Sequence, residues 1–174
     1  GEGMDLQQLF KKGITFEAFV PEDQDVNMEK LLEIYNGIEI DEKLFNEIKS
    51  IDEPIYILAF AELWCSDCII NLPALKKINE INPDITFRIL PKEDNEKYMG
   101  NYKIDAKPKI PTFVILDDKF EEIGVFIENP KILSNIVSSG NQVEVVVAKR
   151  KYQKGEYVNE TIKEMVNIIK RRPD

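Results

Sequence analysis

The sequence has no histidine, one tryptophan and two cysteines among 174 residues. Without histidine or a third cysteine, one chain cannot complete the tetrahedral nitrogen and sulfur shell of zinc, so no metal is expected. No apolar run approaches the roughly 20 residues that span a bilayer, so no membrane partner is expected. The start, Met4-Asp5-Leu6-Gln7-Gln8-Leu9-Phe10, lacks the basic region and apolar stretch of a secretory leader. Gly1-Glu2-Gly3 reads as an expression scar, with a removed leader as the alternative. Basic residues are also in short supply: 23 Lys and Arg against 32 Asp and Glu give a net charge of −9, which argues against a nucleic-acid partner. There is no internal repeat and no low-complexity linker. With both cysteines in one short motif and none left for structural bridges, a reducing, cytoplasmic location is expected.

What is present suits one core with additions: 43% of residues are hydrophobic and 32% charged, ordinary for a globular chain of this length. The organising stretch is Ile55-Tyr56-Ile57-Leu58-Ala59-Phe60-Ala61, an apolar run of strand length bounded by Pro54, followed by Glu62-Leu63-Trp64-Cys65-Ser66-Asp67-Cys68. Beyond it, Ile69, Leu72, Leu75 and Ile78 recur at helical spacing, so the cysteine pair sits at a strand-to-helix corner. The first turn of a helix has unpaired N–H groups and partial positive charge, which stabilise a thiolate. Cys65 is therefore the candidate nucleophile. Cys68, one turn on, is the candidate resolving thiol. An inert core pair or a structural disulfide are the bland alternatives, and so small a ring constrains little of the unfolded chain.

At these residues the sequence resembles the thioredoxin superfamily. Trp64-Cys65-Ser66-Asp67-Cys68 matches its W-C-x-x-C motif, Pro73 matches the proline that kinks its active-site helix, and Lys109-Ile110-Pro111-Thr112-Phe113 matches the I-P-T segment whose proline is cis. The resemblance covers roughly residues 37–139. It implies a three-layer α/β/α fold, with a central mixed sheet ending in an antiparallel hairpin. Residues 1–36 would form a helical arm packed on the core, and 140–174 a helical extension.

The resemblance also implies thiol–disulfide exchange through a redox-active Cys65–Cys68 disulfide with no other cofactor. Partners would be protein or small-molecule disulfides and an upstream disulfide reductase. Ile110 and Pro111 would form a lip beside the sulfurs where substrate backbone pairs, and Trp64 would shield the site. A disulfide oxidant or isomerase, and a partner-binding module with dispensable cysteines, are the alternative activities.

Two departures bear on the chemistry. Ala59 stands where thioredoxins usually carry a buried aspartate that takes the proton of the second cysteine, leaving water, Glu62 or Asp67 for that role. Asp67 lies where reducing thioredoxins often have proline, beside Ser66. A carboxylate about 6 Å from a thiolate opposes its ionisation by about 0.7 kcal/mol at water-like dielectric and about 3 kcal/mol at an effective 20. The helix terminus acts the other way by about 0.3–2 kcal/mol. The balance predicts a Cys65 pKa of about 7–8.5.

Along the chain, Leu6, Leu9 and Phe10, then Phe16 and Phe19, give short helical faces. The stretch 21–27 is acidic and turn-like, and Asn27 is the expected cap of a helix carrying Met28, Leu31, Leu32 and Tyr35. Ile38-Glu39-Ile40 reads as a very short strand. Asp41 caps a helix with Leu44, Phe45, Ile48 and Ile51 inward. A strand is expected at 85–90, a short helix within 92–102, and a hairpin from strands at 112–116 and 122–127. Pro130 opens a helix with Ile132, Leu133, Ile136 and Val137 inward. Val143, Val146 and Val147 fit a helix face, although valine also suits a strand. Asn159 is the expected cap of a last helix that ends in Lys170-Arg171-Arg172, and Lys149-Arg150-Lys151 reads as a solvated face.

Overall fold

The computed structural model describes residues 3–20 and 25–171. Most of the acidic turn expected at 21–27, together with Gly1, Glu2 and Arg172, lies outside the described residues. In chain order the elements are α1 (Leu6–Lys12), α2 (Phe16–Phe19), α3 (Val26–Asn36), α4 (Glu42–Lys49), β1 (Ile55–Ala61) and α5 (Ser66–Ile81). After these come β2 (Ile85–Pro91), a 3-10 turn (Glu96–Met99), β3 (Lys103–Ile104), β4 (Lys107–Pro108), β5 (Thr112–Leu116), β6 (Glu122–Ile127), α6 (Lys131–Ser139), α7 (Gln142–Gln153) and α8 (Val158–Arg171).

The main sheet has the order β2-β1-β5-β6, and β3 with β4 makes a separate two-stranded hairpin. β1 and β2 run parallel because α5 carries the chain back between them, whereas β5 and β6 are antiparallel neighbours. Every residue of β5 and all of β1 except Tyr56 is buried, which is why both strands read as continuous apolar runs. Side chains alternate across β1. Tyr56 faces α1, where it packs edge-on against Phe10 at 5.1 Å and stacks on Phe120 at 4.1 Å. Ile57 faces the other way, in one row with Ile115 and Gly124, and there α8 presses so close that a Cβ on Gly124 would sit 2.4 Å from Ile168 Cγ2. α5 and α3 stack on that side with α8. The mixed sheet thus lies between helical layers, as the resemblance implied. Leu9, Phe16 and Leu31 from the first helices and Tyr152, Ile162 and Met165 from the last join the same continuous core.

Several local expectations change. Ile38-Glu39-Ile40 is not a strand, because the Ile38 N–H closes α3 on Tyr35 O and the Glu39 carbonyl accepts from Asn159 Nδ2 at 2.6 Å, leaving neither for a ladder. The outer edge of β2 is met instead by Ile14, which exchanges two backbone hydrogen bonds of 2.8 Å with Ile89. Asp25 rather than Asn27 caps α3, accepting from the Met28 N–H at 2.9 Å. Asn159 falls inside α8 and spends its amide on Glu39 instead of capping. α7 is a helix, but its valines point outward, with Val143 at 73% exposure. Phe45, Ile132 and Val137 are likewise exposed, because α4 and α6 each bury a narrower stripe than their apolar spacing suggested.

Gly155 joins α7 to α8 with φ +82, and a Cβ there would lie 2.9 Å from Ile34 Cγ2 on α3. A left-handed backbone costs a side-chain-bearing residue about 1–2 kcal/mol, and overpacking adds about 1–3 kcal/mol. Gly155→Ala is therefore expected to destabilise the fold by about 2–5 kcal/mol, read as a lower urea midpoint at unchanged slope.

Candidate active site

β1 delivers the chain to the end of the sheet, and Glu62 to Trp64 turn it into α5. Cys65 occupies the N-cap of α5 in an extended conformation, φ −91 and ψ 120, half-buried. Its carbonyl accepts from the N–H groups of Cys68 and Ile69, both at 3.1 Å, so the helix begins under the sulfur. Cys68 is fully buried, its Sγ 3.5 Å from the Glu62 N–H, and both thiols are free.

Their surroundings push the two thiols apart. A hydrogen bond from Cys68 holds the Cys65 pKa down to about 7 from 9.0, with help from the backbone N–H groups of Cys68 and Asp67 and against burial and the Asp67 charge. That value is the lower end of the range expected from helix terminus against carboxylate. Burial, then the hydrogen bond to Cys65, drives Cys68 far upward, so it stays a thiol. Alkylation by iodoacetamide is expected to modify Cys65 alone, its rate rising with pH to a plateau with a midpoint near 7. A midpoint near 9, or equal labelling of both cysteines, would contradict it.

The Ile110–Pro111 peptide bond is cis and lies beside this thiol, with Cys65 Sγ 3.7 Å from Ile110 O. Ile110 is buried at 7% exposure, so what it presents beside the sulfur is its backbone carbonyl. Trp64 is 69% exposed, and Ser66 is exposed at the first position of α5. Pro73 is buried inside α5. Ala59 is fully buried, paired with Ile89 and Phe113. The Glu62 carboxylate accepts from the Glu93 N–H at 3.0 Å, which ties the turn after β1 to the loop after β2.

A thioredoxin family model matches residues 13–151. The chain belongs to the thioredoxin family. Among solved structures it is similar to a protein of unknown function from Pseudomonas aeruginosa, at 25% identity and a TM-score of 0.82 over 97% of this chain and 98% of that one. An HIV epitope scaffold is similar at 23% identity, with a TM-score of 0.84 over 98% of this chain and all of the other. Mitochondrial thioredoxin 3 from Saccharomyces cerevisiae aligns over 60% of this chain and 97% of its own, at 24% identity and a TM-score of 0.37. No curated protein matches the sequence.

In this thioredoxin-family chain the helices after β6 reach Asp67 and Asn71, the α5 residues on either side of Cys68 in sequence. Asn71, one turn beyond Cys68 and fully buried, donates from Nδ2 to Asp67 O at 2.9 Å and to Tyr152 Oη at 2.8 Å. Its Oδ1 accepts from Thr161 Oγ1 at 2.7 Å. Tyr152 in turn donates to Asp67 Oδ1 at 2.7 Å. Burial raises the Asp67 pKa above the usual 3.8, while the Tyr152 hydroxyl and the Lys109 charge oppose that rise. Asp67 is half-buried, more enclosed than its place in the motif suggests. Beside it opens a groove of about 520 Å³ with Leu133, Val137 and Tyr152 on its wall and Lys149 at its rim. Sequence reading missed Asn71, Tyr152 and Thr161. The signal for Asn71 was there, an amide inside the apolar run Ile69, Ile70, Leu72 of a helix that is buried nearly all round. Tyr152 and Thr161 carried no signal, since they belong to segments without a counterpart in the motifs.

Proposed function

We propose that the chain is a thiol–disulfide oxidoreductase that reduces protein or small-molecule disulfides in a reducing compartment such as the cytoplasm. The observation that carries this reading is the split between two thiols in one helical turn: Cys65 half-buried with a pKa near 7, over a fully buried Cys68 held protonated. At neutral pH about half of Cys65 is thiolate, where nucleophilicity and ionised fraction are well balanced. Its sulfur attacks one sulfur of the substrate disulfide, and the other leaves as a thiolate. Cys68 then attacks Cys65, closing the Cys65–Cys68 disulfide and expelling the second substrate thiolate. The backbone of Ile110 beside the cis proline offers an extended substrate segment a strand-like partner. Trp64 gives it an apolar contact. An upstream disulfide reductase returns the pair to the dithiol.

The test is the reduction potential of the pair, by equilibration in defined thiol buffers with Trp64 fluorescence as readout. A midpoint near about −230 to −280 mV supports the reading. A midpoint near about −120 to −180 mV would make the protein an oxidant or isomerase. No reversible transition, with two free thiols throughout, would overturn redox activity altogether.

A further inference from the structure

Thiol–disulfide exchange at Cys65 and Cys68 releases a proton that needs an acceptor. Cys68 must lose one before its sulfur can attack, yet it is fully buried and Ala59 offers no acceptor; of the two nearby carboxylates, Glu62 accepts from the Glu93 N–H through one oxygen, and the Asp67 charge is the one that acts on Cys68. The hydrogen bonds between α5, α7 and α8 all run one way. Asp67 O can only accept, so the amide nitrogen of Asn71 must face it, which leaves Asn71 Oδ1 for the Thr161 hydroxyl. The same nitrogen donates to Tyr152 Oη, so the Tyr152 proton is free for Asp67 Oδ1 at 2.7 Å, a shorter contact than the 3.5 Å to Glu128 O. Among the described residues Tyr152 is the one side chain that hydrogen-bonds the Asp67 carboxylate. Asp67 is also the residue next to Cys68, and its charge is felt by both sulfurs.

We propose that Asp67 is the proton acceptor for Cys68, and that Tyr152, aligned by Asn71 and Thr161, is the positioning residue that holds it there, so the helices after β6 complete the redox site. The proposal rests on the oxidoreductase reading. In the resolving step the Cys68 thiol gives its proton to the Asp67 carboxylate, directly or across one water. Its sulfur bonds to Cys65 sulfur as the Cys65–substrate bond breaks, and the electron pair leaves on the substrate sulfur. The two cysteines are oxidised to a disulfide, the substrate sulfur is reduced to a thiolate, and Asp67 returns its proton to that thiolate or to water.

Other titratable groups face Asp67: Tyr152 from α7, Lys109 before β5, Glu128 after β6, and the two cysteines on its own helix. Glu128 also has a raised pKa, from burial and then the Asp67 charge, so it is the group that could mimic Asp67 in a pH profile.

The test separates the two sulfur attacks by rapid mixing of reduced protein with the aromatic disulfide dithionitrobenzoate. The first nitrothiobenzoate released reports attack by Cys65, and the second reports resolution by Cys68. Wild type is expected to show an acidic limb in the second phase as the acceptor protonates. Asp67→Asn, which keeps the shape and can still accept from Tyr152, is expected to abolish that limb and slow the second phase at least about tenfold at neutral pH. The first phase should not slow, and should quicken below pH 7, because the Asp67 charge raises the Cys65 pKa. Tyr152→Phe is expected to shift the limb to higher pH, since the hydroxyl holds the Asp67 pKa down. Glu128→Gln should retain the limb, and the thermal midpoint of each variant shows that it is folded. An unchanged limb in folded Asp67→Asn, or a limb lost only in Glu128→Gln, overturns the assignment of Asp67. An unmoved limb in Tyr152→Phe overturns the role of Tyr152. A wild-type protein that releases no second nitrothiobenzoate removes the oxidoreductase reading, and this proposal with it.

Discussion

Protein carrying Cys65→Ser is expected to reduce disulfides no faster than the buffer, whereas Cys68→Ser keeps the first attack and stops at a covalent adduct with substrate. The two outcomes differ because the thiols sit in different places. Cys65 is half-buried at the N-cap, where a substrate sulfur can approach it beside Ile110 O, while Cys68 is fully buried. Serine at 65 cannot ionise near neutral pH, so the nucleophile is lost outright. Serine at 68 also removes the hydrogen bond that holds the Cys65 pKa near 7 most strongly, unless the hydroxyl replaces it. The pH midpoint of the first attack in Cys68→Ser should therefore lie at or above the wild-type midpoint. Mass spectrometry of the adduct checks the assignment. An adduct on Cys68 in Cys65→Ser, at wild-type speed, would reverse the roles of nucleophile and resolving thiol.

Asn71→Ala is expected to cost about 2–4 kcal/mol of stability, the largest effect of any single polar truncation outside the cysteines. Asn71 is fully buried and serves four partners, Asp67 O, Glu128 O, Tyr152 Oη and Thr161 Oγ1. Its loss strands the Thr161 hydroxyl, itself fully buried, and takes a donor from Tyr152. Each stranded buried group costs about 1–3 kcal/mol. For a chain of this size that is a fall in thermal midpoint of about 5–15 °C. Adding Thr161→Val removes the stranded hydroxyl, so the double variant should be less destabilised than the sum of the two single ones. A cost under about 1 kcal/mol for Asn71→Ala would mean that the buried network is replaced by water at little loss.

The central strand, the active-site helix and the hairpin were legible because each is specified locally. β1 and β5 are apolar runs of strand length, and α5 follows a motif that puts a thiol at a helix start. The cis proline was legible through the I-P-T segment. Misreadings came where the deciding partner lies far along the chain. Ile38-Glu39-Ile40 has strand composition, but Asn159 takes its carbonyl from 120 residues away. The apolar spacing of α6 and α7 fits an inward face, yet only Leu133, Ala148 and Tyr152 are buried. At the dithiol, the range expected from helix terminus against Asp67 includes the value near 7, but the largest cause is the hydrogen bond from Cys68, which that balance left out. The fate of the carboxylate could not be read, since Tyr152 meets it across 85 positions of sequence.

The bridge between Ile14 and Ile89 has a bearing on solubility. β2 is an outer strand of the main sheet, and an outer strand offers unpaired backbone groups as a template for another chain. Two hydrogen bonds from Ile14, with α1 and α2 on either side of it, block that edge at its middle. Ile14 and the helices beside it thus act as a guard against self-association, and removal of α1 together with Ile14 is expected to appear in light scattering as oligomers before it appears as any loss of turnover.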